Sequence, residues 1–262
     1  MKYFQSSPAP KPTSTPSIWL RYWIWMQILL HVICGVCTLS FLFPFLNRDQ
    51  KDRRIQQWSK RLLKIFHIQL RVIGAEKLHS SPHLLASNHI SWLDIHVINA
   101  FRPVRFVAKS EVRGWPVFGW MAQQLGTVFI RRDSARHARQ VVDQMAQVLK
   151  AESVCIFPEG TSTSGESVLP FKPNLFESAI LAHAPVLPIA IAYRSRSTCL
   201  RSDAAAFIGD MGLLESMSNV ISSRQDIEVH LNLIEPYLTS NSSNPDRKEL
   251  ALYCQEAITK TL

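Results

Sequence analysis

Asn88-His89-Ile90-Ser91-Trp92-Leu93-Asp94 is the stretch whose residue types and spacing could do chemistry. A neutral imidazole, with an ordinary pKa of about 6.5, is the side chain best suited to take a proton from an alcohol near neutral pH. A carboxylate on its far nitrogen would fix the tautomer and steady the imidazolium. Residues three or four apart share a helix face, whereas residues five apart point away from each other. The spacing therefore predicts His89 on a strand-to-helix loop and Asp94 in the first helical turn. A second reading stands beside this one. Ser91-x-x-Asp94 ahead of Ile95, Val97 and Ile98 also fits a capping box, in which Asp94 only satisfies backbone donors at a helix start.

The elements that would position such a pair can be traced from apolar patterning. Runs at 69–73, 83–86, 105–108, 127–130, 154–157, 185–192 and 227–234 read as strands, and 92–100, 117–124, 135–150, 174–182 and 247–261 as helices. Their alternation predicts an α/β fold with a largely parallel sheet flanked by helices. Sites in such sheets gather at the carboxyl ends of strands. Four predicted strands end there in polar or conformationally special residues. They deliver Asn88-His89, Lys109, Arg131-Arg132 and Pro158-Glu159-Gly160-Thr161.

The 262 residues suffice for one catalytic domain once a terminal segment is set aside. Residues 1–17, rich in Pro and Ser, read as a disordered leader. Residues 22–46 are almost wholly apolar and uncharged, longer than the ~20 residues a bilayer-crossing helix needs, so 18–47 reads as a membrane-anchoring helix, either spanning or monotopic. Trp19, Tyr22, Trp23 and Trp25 cluster at its front, at headgroup level. Arg48, Lys51, Arg53, Arg54, Lys60, Arg61 and Lys64 follow it. That asymmetry puts the body, 48–262, on the cytoplasmic side. Residues 55–68 read either as a basic amphipathic helix lying on an anionic surface or as a core-facing helix with a solvated basic side.

The net charge of +9 calls for an anionic partner. Zinc-finger spacing, aromatic RNA-binding signatures and long basic tracts are missing from the sequence. Membrane lipids are therefore favoured over nucleic acid. The five cysteines are scattered and read as reduced thiols. The histidines lack ligand spacing, so no metal is expected.

Taken in order, the blocks resemble the glycerophospholipid acyltransferase family, whose bacterial representatives are PlsC-like 1-acyl-glycerol-3-phosphate acyltransferases. The first block is Asn88 to Asp94. Phe106-Val107-Ala108-Lys109-Ser110-Glu111 with Pro116-Val117-Phe118-Gly119 follows it, and Gly126 to Arg132 is the second block. Phe157-Pro158-Glu159-Gly160-Thr161-Ser162 is the third and Val186-Leu187-Pro188-Ile189 the fourth. The resemblance runs from about Trp58 to the C-terminus and is densest at 86–192. Two departures stand out: Phe171-Lys172-Pro173-Asn174, where many members carry glycine after Phe-Lys, and Arg131-Arg132, where many carry Asp-Arg.

The resemblance implies a bacterial inner-membrane enzyme that moves an acyl group from acyl-CoA or acyl carrier protein, with no bound cofactor, to the free sn-2 hydroxyl of lysophosphatidic acid. His89 would be the general base and Asp94 its partner. Transfer would be direct. The sequence agrees, since Gly160 to Ser164 closes on serine where Gly-x-Ser-x-Gly needs glycine. An acceptor phosphate needs cationic forks or backbone donors. Arg132 is the residue aligned with the family's functional arginine, and Arg131 and Lys109 are further candidates. Glu159 would accept hydrogen bonds from the acceptor or orient an arginine, while the Gly160-Thr161 backbone meets the headgroup. Asn88, Ser91, Phe157, Pro158 and Pro188 are expected to build the motifs. Two other readings remain: another acceptor, such as a lyso-ornithine lipid, or a non-catalytic lipid-binding protein on the same fold.

Overall fold

A computed structural model describes residues 16–78, 81–131, 135–223, 226–241 and 244–262. All seven predicted strands are present: β1 (Gln69–Ile73), β2 (Leu84–Ser87), β3 (Arg105–Lys109), β4 (Val128–Ile130), β5 (Val154–Ile156), β6 (Val186–Ser195) and β7 (Ile227–Leu233). They form one sheet in the order β1-β7-β6-β2-β5-β3-β4. β2 to β6 run parallel, β7 is antiparallel to β6, and β1 is parallel to β7. The sheet is thus mostly parallel, as expected for alternating strands and helices.

Among the described residues eight α-helices flank it: α1 (Ile18–Cys37), α2 (Arg48–Ile65), α3 (Leu93–Phe101), α4 (Phe118–Gln124), α5 (Ala135–Leu149), α6 (Glu177–Ala182), α7 (Leu213–Ser222) and α8 (Arg247–Thr261). One core joins α2, α3 and α7 to one face of the sheet through Leu63, Val97, Ile98 and Val220, packed on Leu187, Ile189, Ile191 and Leu231. The second joins α5, α6 and α8 to the other face through Met145, Ala179 and Cys254, packed on Val186 and Ala190. Alternation along β6 therefore sends Leu187, Ile189, Ile191 and Tyr193 to the α3 face. Helix α7 falls in a stretch with no helix assigned from the sequence; Gly212 at its N-cap carries no side chain to mark the start.

β6 also reaches three residues further than its apolar run suggests, to Ser195. Its last seven residues pair with β7. Ser87, the last residue of β2, is opposite Ile189. The remaining six residues of β6 therefore overhang the end of β2.

The apolar N-terminal segment is helical from Ile18 to Phe45, 28 residues that include an 18-residue stretch of mean hydropathy 2.2. By length and composition it can cross a bilayer core. A π turn at Thr38–Leu42 and a 3-10 turn at Phe43–Phe45, with Pro44, end it. Its opposite sides differ. Ile24, Ile28, His31 and Gly35 form a buried stripe, while Trp19, Tyr22, Trp23, Met26, Leu29, Leu30 and Ile33 are exposed. The stripe meets α2, where the Trp58 indole stacks on His31 at 4.4 Å and its N–H donates to the His31 carbonyl at 3.3 Å.

Helix α2 starts at Arg48, seven residues before the expected 55–68 helix, because Asn47 and Gln50 close a capping box with reciprocal 3.0 Å bonds. It ends at Ile65, ahead of β1. Its apolar side, Trp58, Leu62, Leu63 and Ile65, packs into the core. Of the two readings of this helix, the core-facing one therefore describes its apolar side, and its basic side faces solvent. At the helix start, Arg48 pairs with Glu152, which also holds Arg105 through two short bonds, from Nε at 2.5 Å and Nη2 at 2.6 Å. α2 is thereby tied to the amino-terminal ends of β3 and β5.

Candidate active site

His89 sits on the loop between β2 and α3, and Asp94 is the second residue of α3. His89 Nδ1 lies 2.8 Å from Asp94 Oδ2. Asp94 is fully buried, and the same Oδ2 accepts the backbone N–H groups of Ile90 at 2.7 Å and Ser91 at 2.9 Å. An oxygen receiving two backbone donors is held as an acceptor, so the imidazole carries its proton on Nδ1 and leaves Nε2 to take one. The His89 side chain is 22% exposed and stacks on Phe157 at 4.1 Å. Both sequence readings meet here. The Asp94 half of the capping box forms through the Ser91 amide, while Ser91 Oγ accepts from Leu93 rather than Asp94.

The backbone of His89 is gripped from the loop after β5. Its N–H donates to Glu159 Oε1 at 2.7 Å, and its carbonyl accepts from the Thr163 N–H at 2.9 Å. The other Glu159 oxygen accepts the Leu169 N–H at 2.9 Å. Glu159 is 3% exposed. Burial pushes its carboxyl above the ordinary range, and bonds from Leu169 and His89 pull the other way. Both of its oxygens are therefore committed inside the loop.

From β6 come two further holds. Asn88 is clasped to Ile191 by a pair of bonds, and Tyr193 donates its hydroxyl to Asp94 Oδ1 at 2.8 Å. Burial first, then the Asp94 charge, push the Tyr193 phenol well above its ordinary range, so it stays a donor. Tyr193 and Thr163 were not singled out from the sequence. The available signal for Tyr193 was a hydroxyl-bearing ring ending an aliphatic run, since a buried tyrosine hydroxyl needs a partner.

The other predicted residues are spread around this centre. Lys109 closes β3 and is exposed; Arg131 follows β4 and is exposed. Arg132 lies outside the described residues. Pro158 is buried and accepts the Lys172 N–H at 3.0 Å, Gly160 turns with φ +76°, and Thr161 is exposed. Pro173 opens a short 3-10 turn leading into α6, so the departure from the family pattern is a defined turn. Pro188 stands in β6 opposite Ala86, one residue before the end of β2. A groove between α2 and β1, lined by Lys60, Leu63, Lys64, Leu70 and Phe101, contains none of these residues.

A strand-loop-helix carrying a His-carboxylate pair at the carboxyl end of a central parallel strand is an acid-base site on an α/β scaffold. A family model described as Acyltransferase matches residues 69–192, which hold every one of the site residues above except Tyr193. The chain is 38% identical over 214 residues to a lyso-ornithine lipid O-acyltransferase of Pseudomonas aeruginosa, covering 81% of this chain and 79% of that one. It is 35% identical over 178 residues to a 1-acyl-sn-glycerol-3-phosphate acyltransferase of Neisseria meningitidis serogroup B, covering 68% and 69%. Its fold is similar to the crystal structure of the 1-acyl-sn-glycerophosphate acyltransferase PlsC from Thermotoga maritima, with a TM-score of 0.67, 22% identity and 93% of each chain covered. The chain belongs to the acyltransferase family and is an O-acyltransferase. The reading as a non-catalytic lipid-binding protein is set aside.

Proposed function

We propose that the protein moves a fatty acyl group from an acyl thioester, acyl-CoA or acyl carrier protein, to the free sn-2 hydroxyl of lysophosphatidic acid. The observation that carries this reading is the 2.8 Å contact between His89 Nδ1 and Asp94 Oδ2 at the end of β2. His89 Nε2 takes the hydroxyl proton as the oxygen attacks the thioester carbonyl, and returns it to the departing thiolate; Asp94 steadies the imidazolium between the two events. The polar headgroup is met by Lys109 and Arg131, at the ends of β3 and β4, by Arg132 and by the Gly160-Thr161 backbone.

Glu159 serves as an anchor of His89, since it is 3% exposed and both its oxygens accept backbone N–H groups. The exposed apolar face of α1 enters the membrane, with residues 18–47 as the anchor and 48–262 as the catalytic domain. The basic α2 faces anionic headgroups on the cytoplasmic side.

A second acceptor is favoured by one observation. The lyso-ornithine lipid O-acyltransferase of Pseudomonas aeruginosa is 38% identical over 214 residues, against 35% over 178 residues for the Neisseria meningitidis enzyme. Purified protein in detergent, given each lysolipid with each thioester, separates the two acceptors. Substituting His89→Ala is expected to lower turnover by about 10²- to 10⁴-fold on the true acceptor. Undiminished turnover would overturn the general-base assignment.

A further inference from the structure

We propose that Tyr193 is a positioning residue for acyl transfer, acting on His89 through Asp94. This rests on the general-base reading of His89 and adds to the same site a residue contributed by the overhang of β6. Tyr193 lies four residues past Ile189, the partner of the last residue of β2, so it projects about 13 Å beyond the end of that strand. It faces the α3 side of the sheet and is 1% exposed. Its hydroxyl reaches Asp94 from below the first turn of α3.

The two carboxylate oxygens of Asp94 are unequally loaded. Oδ2 receives His89 Nδ1 and the N–H groups of Ile90 and Ser91, whereas the Tyr193 hydroxyl is the donor on Oδ1. Three donors on one oxygen do not by themselves prevent the carboxylate from turning about its last bond, which would exchange the oxygens. A donor on Oδ1 opposes that rotation and keeps Oδ2 aimed at the imidazole. It also draws negative charge toward Oδ1, away from His89. A phenol deep in an apolar face suits this task, because it remains protonated and its ring is held by packing.

Removing the hydroxyl alone, by Tyr193→Phe, has three expected effects. Turnover falls about tenfold. The KM for the lysolipid is unchanged, because Tyr193 is out of reach of the acceptor. The acidic limb of the kcat/KM profile moves to higher pH by about half a unit, since the whole Asp94 charge then faces the imidazolium. Asp94→Asn and the double substitution complete a cycle: Tyr193→Phe should lower turnover far less in the Asp94→Asn background than alone. A Tyr193→Phe profile superimposable on that of the unsubstituted enzyme, or additive losses in the cycle, overturns the proposal even if some activity is lost with folding. Turnover surviving His89→Ala instead removes the general-base reading, a separate result from either.

Discussion

Asn88 and Ile191 hold each other by two bonds across 103 residues of chain: Asn88 Nδ2 donates to the Ile191 carbonyl at 2.9 Å, and the Ile191 N–H donates to Asn88 Oδ1 at 2.8 Å. The clasp pins the residue before His89 to the overhang of β6. Asn88 is 1% exposed and Ile191 fully buried, so neither half has water as a substitute.

Replacing Asn88 with Ala leaves a buried N–H and a buried carbonyl unpaired, at about 1–3 kcal/mol each. Asn88→Asp is expected to be worse. Its second oxygen would face the Ile191 carbonyl, and the charge would be desolvated. Thermal unfolding should rank the asparagine protein above the alanine variant and the aspartate variant last, with turnover following the same order. An aspartate variant as stable as the asparagine protein would contradict the donor role assigned to Nδ2.

Glu159 gives a pH dependence of determinate sign. Its folded-state pKa is raised above the ordinary 4.5, chiefly by burial, so the folded chain keeps a proton that the unfolded chain releases. Stability therefore falls as pH rises from about 4.5 through the raised value, and levels off above it. Glu159→Gln does not titrate and should flatten that part of the curve. It also turns an amide N–H₂ toward a backbone donor and loses one of the two anchoring bonds. Melting temperatures of both proteins between about pH 4 and pH 8 check this; parallel curves would show that Glu159 does not titrate in this window.

The strands were legible because each is a short apolar run ended by polar or turn residues, and the His89–Asp94 pair because its spacing excludes a mid-helix geometry. Other features were hidden for physical reasons. The first turns of α2, Arg48 to Arg54, carry charges without an apolar period, so the helix looked shorter than its Asn47 capping box makes it. Glu159 reads locally as a headgroup contact. Only the return of the loop over His89 shows that its oxygens are occupied. Tyr193 is 99 residues from Asp94, and a partnership that distant depends on β6 outrunning β2, which no local pattern encodes.

The contact between α1 and the body can be tested at Gly35. A Cβ there would come within 2.8 Å of Trp58 Nε1 and 2.9 Å of Met121 Cε. Met121 Cε is the end of a flexible side chain, but the Trp58 indole is held by its stack and hydrogen bond on His31, so Gly35→Ala should already strain the contact. Gly35→Leu should force α1 away from α2, at about 1–3 kcal/mol for an overpacked contact. Trp58 also touches His96 on α3, at 5.3 Å between rings, so the disturbance reaches the helix that carries Asp94. Turnover should fall while liposome flotation stays unchanged, because Tyr22, Trp23, Leu29 and Ile33 on the outer face are untouched. Loss of flotation would mean that the buried stripe, not the exposed one, meets the lipid.

Gly165 lies in the loop after β5, two residues past Thr163, with φ +76°. A Cβ at this position would stand 2.5 Å from Ile90 Cδ1 and 3.1 Å from Cγ1. Ile90 is 2% exposed and donates its N–H to Asp94, so pressure on its side chain moves the loop that holds the His89–Asp94 pair. Alanine meets both the left-handed backbone penalty, about 1 kcal/mol, and the contact with Ile90. Asparagine tolerates the backbone but keeps the contact. If the contact governs, Gly165→Asn should be as impaired in turnover as Gly165→Ala, and trimming Ile90 to Val should restore part of the activity in both. Recovery by asparagine alone, without the Ile90 change, would place the requirement for glycine in its backbone conformation and remove Ile90 from the explanation.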